Sequence, residues 1–176
     1  TMIANSFLNQ IVIENGEQDL SKILSELDRL VRMTLKQNDY NSVQDGLDIS
    51  IVKIDKRNST FDFCSAKHKA FFIKANTLIE LRGDRCGIGG SGTKRYNTTS
   101  HSYKENDMLY LLTDGYIDQF GGSLDKKYST KQFCELITTL CNSEINYQFD
   151  VIKNTHNTWK GQGDQTDDIT VIGIRF

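Results

Sequence analysis

The hydrophobic period of this chain changes three times, and that order limits the folds open to it. Apolar side chains recur at helical spacing from residue 1 to about residue 38. From 44 to 113 they recur at alternate positions or in short runs, from 129 to 160 helical spacing returns, and 169–176 reads as one last strand. Asp19 precedes Leu20, Ile23, Leu24, Leu27, Leu30, Val31 and Leu35, so a helix capped by Asp19 with a single buried stripe is expected. Ahead of it, TMIANSFLNQIVI places Met2, Ile3, Leu8 and Val12 as a helix could, one already under way at Thr1. Strands are predicted around Leu47–Ile54, Phe61–Phe63, Ala70–Ile73 and Leu78–Leu81, with Lys56–Ser59 a turn. The Gly-, Ser- and Thr-rich stretch 83–105 predicts a loop with one short strand. Phe133, Leu136, Ile137 and Leu140 mark one helix face, and Ile145, Phe149, Ile152 and Trp159 another. Strands in one block with helices on either side predict a single layered α+β domain rather than alternating βαβ units.

Several function classes recede at once. A net charge of −2 without a Lys/Arg stripe argues against nucleic acid as the main partner. No apolar run approaches the roughly 18 residues of a membrane span, and no signal-peptide pattern opens the chain. Cys64, Cys86, Cys134 and Cys141 form no C-x-x-C pair and have no histidine at zinc spacing, which predicts free thiols in a cytoplasmic protein. GIGGSG (87–92) matches a dinucleotide fingerprint by letter, but TKRYNTTSHSYKEND after it carries no helical stripe, and Thr93 stands where a phosphate loop needs lysine. A tight loop is the better reading. His68, His101 and His156 are far apart, and no serine sits in a G-x-S-x-G elbow.

The acids are more informative. Met108–Leu112 barely alternates, so it is predicted to be covered on both faces, yet it runs directly into Thr113-Asp114-Gly115. GDQTDDIT (163–170) places Asp164, Asp167 and Asp168 just ahead of the closing strand. Gly115 is expected to turn the chain sharply behind Asp114, and Gly163 to do the same ahead of Asp167. If the two strands pair antiparallel, Asp114 and Asp167 meet at one sheet edge. Two such carboxylates repel unless a cation lies between them, and an all-oxygen set suits Mg²⁺ or Mn²⁺. The alternative is that both are turn and cap residues.

YLLTDGYIDQFGG, FCELITTL and WKGQGDQTDDITVIGIRF together resemble the C-terminal part of the SpoIIE-like branch of the metal-dependent Ser/Thr phosphatases, the protein phosphatase 2C superfamily. QDGLDISIVKID, CSAKHKAFFIK, LIELRGDRCGIGG and TMIANSFLNQIV resemble its supporting segments in the same order. The resemblance implies an αββα sandwich: two packed, mostly antiparallel sheets flanked by helices, here without the N-terminal strands. It divides the chain into a helical pair (1–38), strands (44–113), helices (129–160) and a closing strand (169–176). It implies two Mn²⁺ or Mg²⁺ ions in an intact domain, with Asp114 and Asp167 as metal ligands. Asp168 supports the turn with Gly115, or exchanges roles with Asp167. Asp45 and Asp48 carry over only as structural or substrate-side candidates, and the Cys64–His68 turn departs from the usual form without touching a ligand.

The family's bridging aspartate belongs to an Asp-x-[Ser/Thr]-Gly-His-Gly element, and no Gly-His-Gly occurs in these residues. The expectation is therefore an N-terminally incomplete domain, inactive by itself, with uncovered sheet edges that favour a homodimer. The parent protein would dephosphorylate a phosphorylated regulatory protein of the STAS anti-sigma-antagonist type in bacterial signalling, behind an upstream sensor or receiver domain. The first two helices would carry that domain's signal. The alternative is a non-catalytic pseudo-phosphatase serving as a binding or oligomerisation module.

Overall fold

A computed structural model describes residues 2–37, 46–90 and 94–176; Asp45 lies outside them. Helix α1 (Met2–Leu8) continues into a π-helical segment, Asn9–Glu14, and α2 (Leu20–Thr34) follows. Asp19 caps α2 as expected, its Oδ1 accepting from the N–H groups of Ser21 and Lys22 at 2.9 and 3.3 Å. Leu20, Ile23, Leu24, Leu27 and Val31 are buried along one stripe, while Leu35 lies beyond the helix and is exposed. The first helix departs from expectation: Met2, Ile3 and Val12 are exposed, and Ala4 and Ile11 are buried. At Ile11 and Val12, inside the π-helical segment, i→i+5 bonding replaces i→i+4 and the angular step changes, so a 3.6-residue reading selects the wrong face there.

The remaining elements are β1 (Gly46–Leu47), β2 (Ile49–Asp55), β3 (Thr60–Ala66), β4 (Lys69–Lys74), β5 (Thr77–Arg82), β6 (Ile88–Gly89), β7 (Thr99–Ser102) and β8 (Met108–Leu112). Then come α3 (Asp114–Ile117), β9 (Phe120–Gly121), β10 (Lys126–Lys127), α4 (Thr130–Leu140), α5 (Ile145–Lys160) and β11 (Val171–Arg175). The described residues of the stretch 83–105 thus hold two short strands rather than one, and the spacing does not predict the β9–β10 hairpin. The chain divides into two compact units, Thr1–Lys69 with Arg82–Ser102, and Ala70–Leu81 with Tyr103–Phe176.

In the first unit β2 pairs antiparallel with β3, and β3 with β7. The α2 stripe shares a core with Cys64, Ala66, Ile88 and Tyr96. The glycine loop wraps a buried carboxylate: Asp28 Oδ1 accepts from Gly89 N–H at 2.8 Å, and Gln37 Oε1 from Gly90 N–H at 2.7 Å. Both glycines have positive φ (+85° and +80°), which side chains with a Cβ rarely adopt. Lys94 Nζ stands 3.5 Å from Asp28 and donates to the carbonyls of Gly87 and Gly89. Loop amides of Gly89 and Gly90 already serve α2 and its C-terminal extension, so they do not cradle a phosphate.

In the second unit the strand order is β11-β8-β4-β5, with β4 and β11 both antiparallel to β8. Flanked on both sides, β8 buries Met108, Leu109, Tyr110 and Leu112. Phe133, Ile137 and Leu140 of α4 are buried as the spacing predicts. The face of α5 is different: Gln148, Ile152 and His156 are buried, whereas Ile145 and Phe149 are exposed, Phe149 by 63%. Gln148 is tolerated inside because its amide is bonded. Tyr110 Oη donates to Gln148 Oε1 at 2.6 Å, and Nε2 donates to the Ser143 and Cys141 carbonyls at 2.9 and 3.4 Å. No cysteine is in a disulfide, and no helix among the described residues is long and apolar enough to cross a membrane.

Candidate functional site

The β8–β11 ladder runs from Met108↔Arg175 to Leu112↔Val171 and then continues through side chains. Thr113 N–H donates to the Thr170 carbonyl at 3.0 Å, and Thr170 N–H donates to Thr113 Oγ1 at the same distance. Thr113 Oγ1 in turn donates to the Asp168 carbonyl at 3.0 Å. One hydroxyl thus ties the end of β8 to the segment entering β11, and the two acidic segments leave the sheet at the same end.

Asp114 opens α3 and is exposed, its carbonyl accepting from Asp118 N–H at 2.9 Å. Gly115 follows for a reason other than a turn. Its φ is not positive, and a Cβ there would lie 2.5 Å from the Asp168 carbonyl oxygen and 3.2 Å from that of Asp167. Glycine is required because the Asp167–Asp168 backbone closes onto it. Gly163 does not turn the chain through positive φ either; Gly161, with φ +58°, is the left-handed residue there.

Asp167 is exposed and accepts from Asp168 N–H at 2.7 Å through Oδ1. Asp168 enters the tip through its main-chain carbonyl. Among the described residues no ion pair involves Asp114, Asp164, Asp167 or Asp168, while neighbouring Asp118 is paired with Lys127 at 2.7 Å. These four carboxylates thus have no ion pair among the described residues, the one ammonium shown beside the acidic loop being Lys160 Nζ, which donates to the Gly163 carbonyl at 2.9 Å.

Gln119, which the sequence did not single out, holds the acidic loop. It is buried, and its Nε2 donates to the Asp164 carbonyl at 2.9 Å while Oε1 accepts from Thr166 N–H at 3.1 Å. Its own carbonyl accepts from Trp159 Nε1 at 3.0 Å and Tyr128 N–H at 2.9 Å. A polar letter in YIDQF carries no local sign of such burial. Asp48, in the first unit, stands 3.5 Å from Lys67. The Cys64 thiol is buried and pushed up to about 11 by desolvation, so it is inert as a nucleophile. His101 stacks on Phe61 and His156 lies against Tyr116, each with ring centroids 5.2 Å apart.

The donors at the tip are carboxylates and carbonyls, which fit a hard divalent cation such as Mg²⁺ or Mn²⁺ in type. In number they do not close a site, since no group of three or more His, Cys, Asp or Glu among the described residues is placed to hold an ion.

The family model for stage II sporulation protein E (SpoIIE) matches residues 1–176. No curated protein matches in sequence. Among solved structures, the SiaA-PP2C domain of Pseudomonas aeruginosa is 25% identical with a TM-score of 0.88, covering 99% of this chain and 68% of its own. The RsbU and RsbW domains of a Mycobacterium tuberculosis protein are 19% identical with a TM-score of 0.72, over 98% of this chain and 45% of theirs. The phosphatase domain of SpoIIE from Bacillus subtilis is 17% identical with a TM-score of 0.58, over 98% of this chain and 72% of its own. The fold is accordingly that of the protein phosphatase 2C class, α+β with antiparallel sheets.

Proposed function

Because the chain belongs to the SpoIIE family, we propose that it forms one domain of a metal-dependent protein phosphatase acting on phosphoserine or phosphothreonine. The observation that carries this reading is the convergence of Asp114 and Asp167 segments at one end of the β8–β11 pair, with no protein cation paired to them. Asp114 and Asp167 are the proposed ligands of Mn²⁺ or Mg²⁺. A bound divalent ion of this kind lowers the pKa of its water and offsets phosphate charge. The chain's own residues set the geometry around it. Thr113 fixes the spacing of the two tips, Gly115 admits the Asp168 carbonyl, and Gln119 holds the loop from Asp164 to Thr166.

The substrate is proposed to be a phosphorylated regulatory protein of the STAS type in a bacterial cytoplasm, with an upstream sensor or receiver domain acting through α1 and α2. One matched structure holds RsbU and RsbW domains, and another joins the SpoIIE phosphatase domain to a fragment of its regulatory domain; both contexts fit this placement. A second reading, a non-catalytic binding module that pairs with its own copy, is favoured by the lack of a third ligand among the described residues.

Mn²⁺-dependent hydrolysis of p-nitrophenyl phosphate separates the two. Residues 1–176 alone are expected to show negligible turnover. The polypeptide as the cell makes it should turn over, and Asp114→Asn should abolish that activity with an unchanged circular dichroism spectrum. Wild-type turnover by Asp114→Asn would overturn the ligand assignment, and no turnover by the natural polypeptide would favour the binding module.

A further inference from the structure

Three loops of the first unit are bonded to one another. Asp84 N–H donates to the Ser65 carbonyl at 2.9 Å, Lys67 N–H to the Asp84 carbonyl at 2.8 Å, and Gly83 N–H to the His68 carbonyl at 3.2 Å. Asn97 brackets the same aspartate, its N–H and Nδ2 donating to Asp84 Oδ2 and Oδ1, each at 2.7 Å. Residues 66–69, 82–87 and 94–98 are therefore held side by side, although they are separate in sequence.

Their charge is one-sided. The three segments hold six Lys and Arg residues and a single carboxylate, Asp84. Lys94 turns inward to the Gly87 carbonyl and Asp28, while Lys67, Lys69, Arg82, Arg85 and Arg95 are exposed. On a chain of net charge −2 this is a local excess of positive charge. No run of the sequence announces it, because three segments supply it.

Neutralisation from within is incomplete. Lys67 Nζ lies 3.5 Å from Asp48 Oδ1. Asp84 directly precedes Arg85, yet both of its oxygens are taken by Asn97. Among the described residues no hydrogen bond or ion pair engages the side chain of Arg85 or Arg95. The Asp84–Asn97 bracket roots both on adjoining loops, and between Arg95 and Asn97 the ring of Tyr96 is buried, its hydroxyl donating to the Gly87 carbonyl at 3.1 Å. Like charges held on adjoining loops repel one another, and carboxylates brought by a partner relieve that repulsion.

We infer that these loops form a docking surface for an acidic segment of a partner polypeptide, with Arg85 and Arg95 as its anchors and Lys67 beside them. A guanidinium takes a carboxylate through two parallel N–H···O bonds, which a rigidly rooted pair can do twice. A nucleic acid strand fits less well. The one Phe, Tyr or Trp in the three segments, Tyr96, is buried and gives bases no face to stack on, and the chain as a whole repels a long phosphate polymer. The inference stands apart from the phosphatase reading, since its test measures binding with neither metal nor turnover.

Fluorescence anisotropy of a fluorescein-labelled, glutamate-rich peptide in EDTA is the test, on the polypeptide as the cell makes it. The wild type should bind, and raising salt from about 50 to about 200 mM should weaken binding several-fold. Arg85→Glu with Arg95→Glu is expected to weaken it at least about 10-fold, and Arg85→Gln alone about 3-fold, with unchanged circular dichroism spectra. Lys131→Glu, on α4 of the second unit with its side chain 86% exposed, makes the same change in net charge as Arg85→Glu and should leave binding nearly unaltered. No binding by the wild type would overturn the inference, as would unchanged affinity in Arg85→Glu. Equal losses in Arg85→Glu and Lys131→Glu would also overturn it, by showing net charge alone at work. Tighter binding of a labelled single-stranded DNA carrying the same charge would overturn the choice of a polypeptide occupant.

Discussion

Gly115→Ala is the most direct probe of the tip. A Cβ at this position would stand 2.5 Å from the Asp168 carbonyl oxygen, 3.1 Å from its carbonyl carbon and 3.2 Å from the Asp167 oxygen. All three atoms are backbone, so no flexible side chain can swing aside. Relief requires the Asp167–Asp168 segment to withdraw, which strains the bonds from Thr113 Oγ1 to the Asp168 carbonyl and from Thr170 N–H to Thr113. Overpacking of this kind costs about 1–3 kcal/mol. At roughly 2–4 °C per kcal/mol for a chain of this size, the melting midpoint should fall by about 2–12 °C. Urea unfolding followed by tryptophan fluorescence reports the change, because Trp159 Nε1 bonds to the carbonyl of Gln119, which carries the same loop. An alanine variant within about 0.5 kcal/mol of wild type, the range of ordinary surface changes, would refute the close approach as the reason for glycine.

Gln119→Ala removes the amide that holds the Asp164 carbonyl and Thr166 N–H, and should cost about 2–3 kcal/mol in urea unfolding while loosening exchange at Thr166. Gln148→Leu leaves the buried Tyr110 hydroxyl without its acceptor, an expected loss of about 1–3 kcal/mol. Tyr110→Phe added to it should recover part of that loss, and a strictly additive pair would count against the bond. Burial chiefly, with Lys160 nearby, holds His156 below its ordinary value of 6.5. The unfolded chain therefore takes up that proton first, so this contribution to stability is complete above about pH 6.5 and declines as pH falls through that value toward the folded pKa. Urea midpoints at pH 7.5 and 5.5 should differ more in wild type than in His156→Phe; equal differences would exclude His156 as the cause.

How far the residues alone reached depended on how local each cause is. The α2 stripe and its Asp19 cap involve neighbours within one or two turns, and an apolar run such as Met108–Leu112 announces its own burial; both are legible in the sequence. The resemblance carried on YLLTDGYIDQFGG and GDQTDDIT pointed to the right family. It also singled out the two acidic segments that the β8–β11 ladder then brings to one end.

Other features depend on partners remote in sequence. Spacing assigned Ile145 and Phe149 to the inner face of α5, but the inner face holds Gln148 and His156, because Tyr110 and the carbonyls ending α4 supply bonds that make a buried amide affordable. Gly115 looked like a turn residue, and its need for a missing side chain comes from Asp168 across the strand pair. The π-helical segment Asn9–Glu14 buries Ile11 rather than Val12 for a similar reason, a bonding step that composition does not announce. Periodicity, caps and acidic motifs were settled by the sequence itself, since a few adjacent residues suffice to cause them. Which polar groups go inside, and which carbonyl a glycine must admit, were decided by tertiary structure, because the free energy of burial depends on partners that only the folded chain supplies.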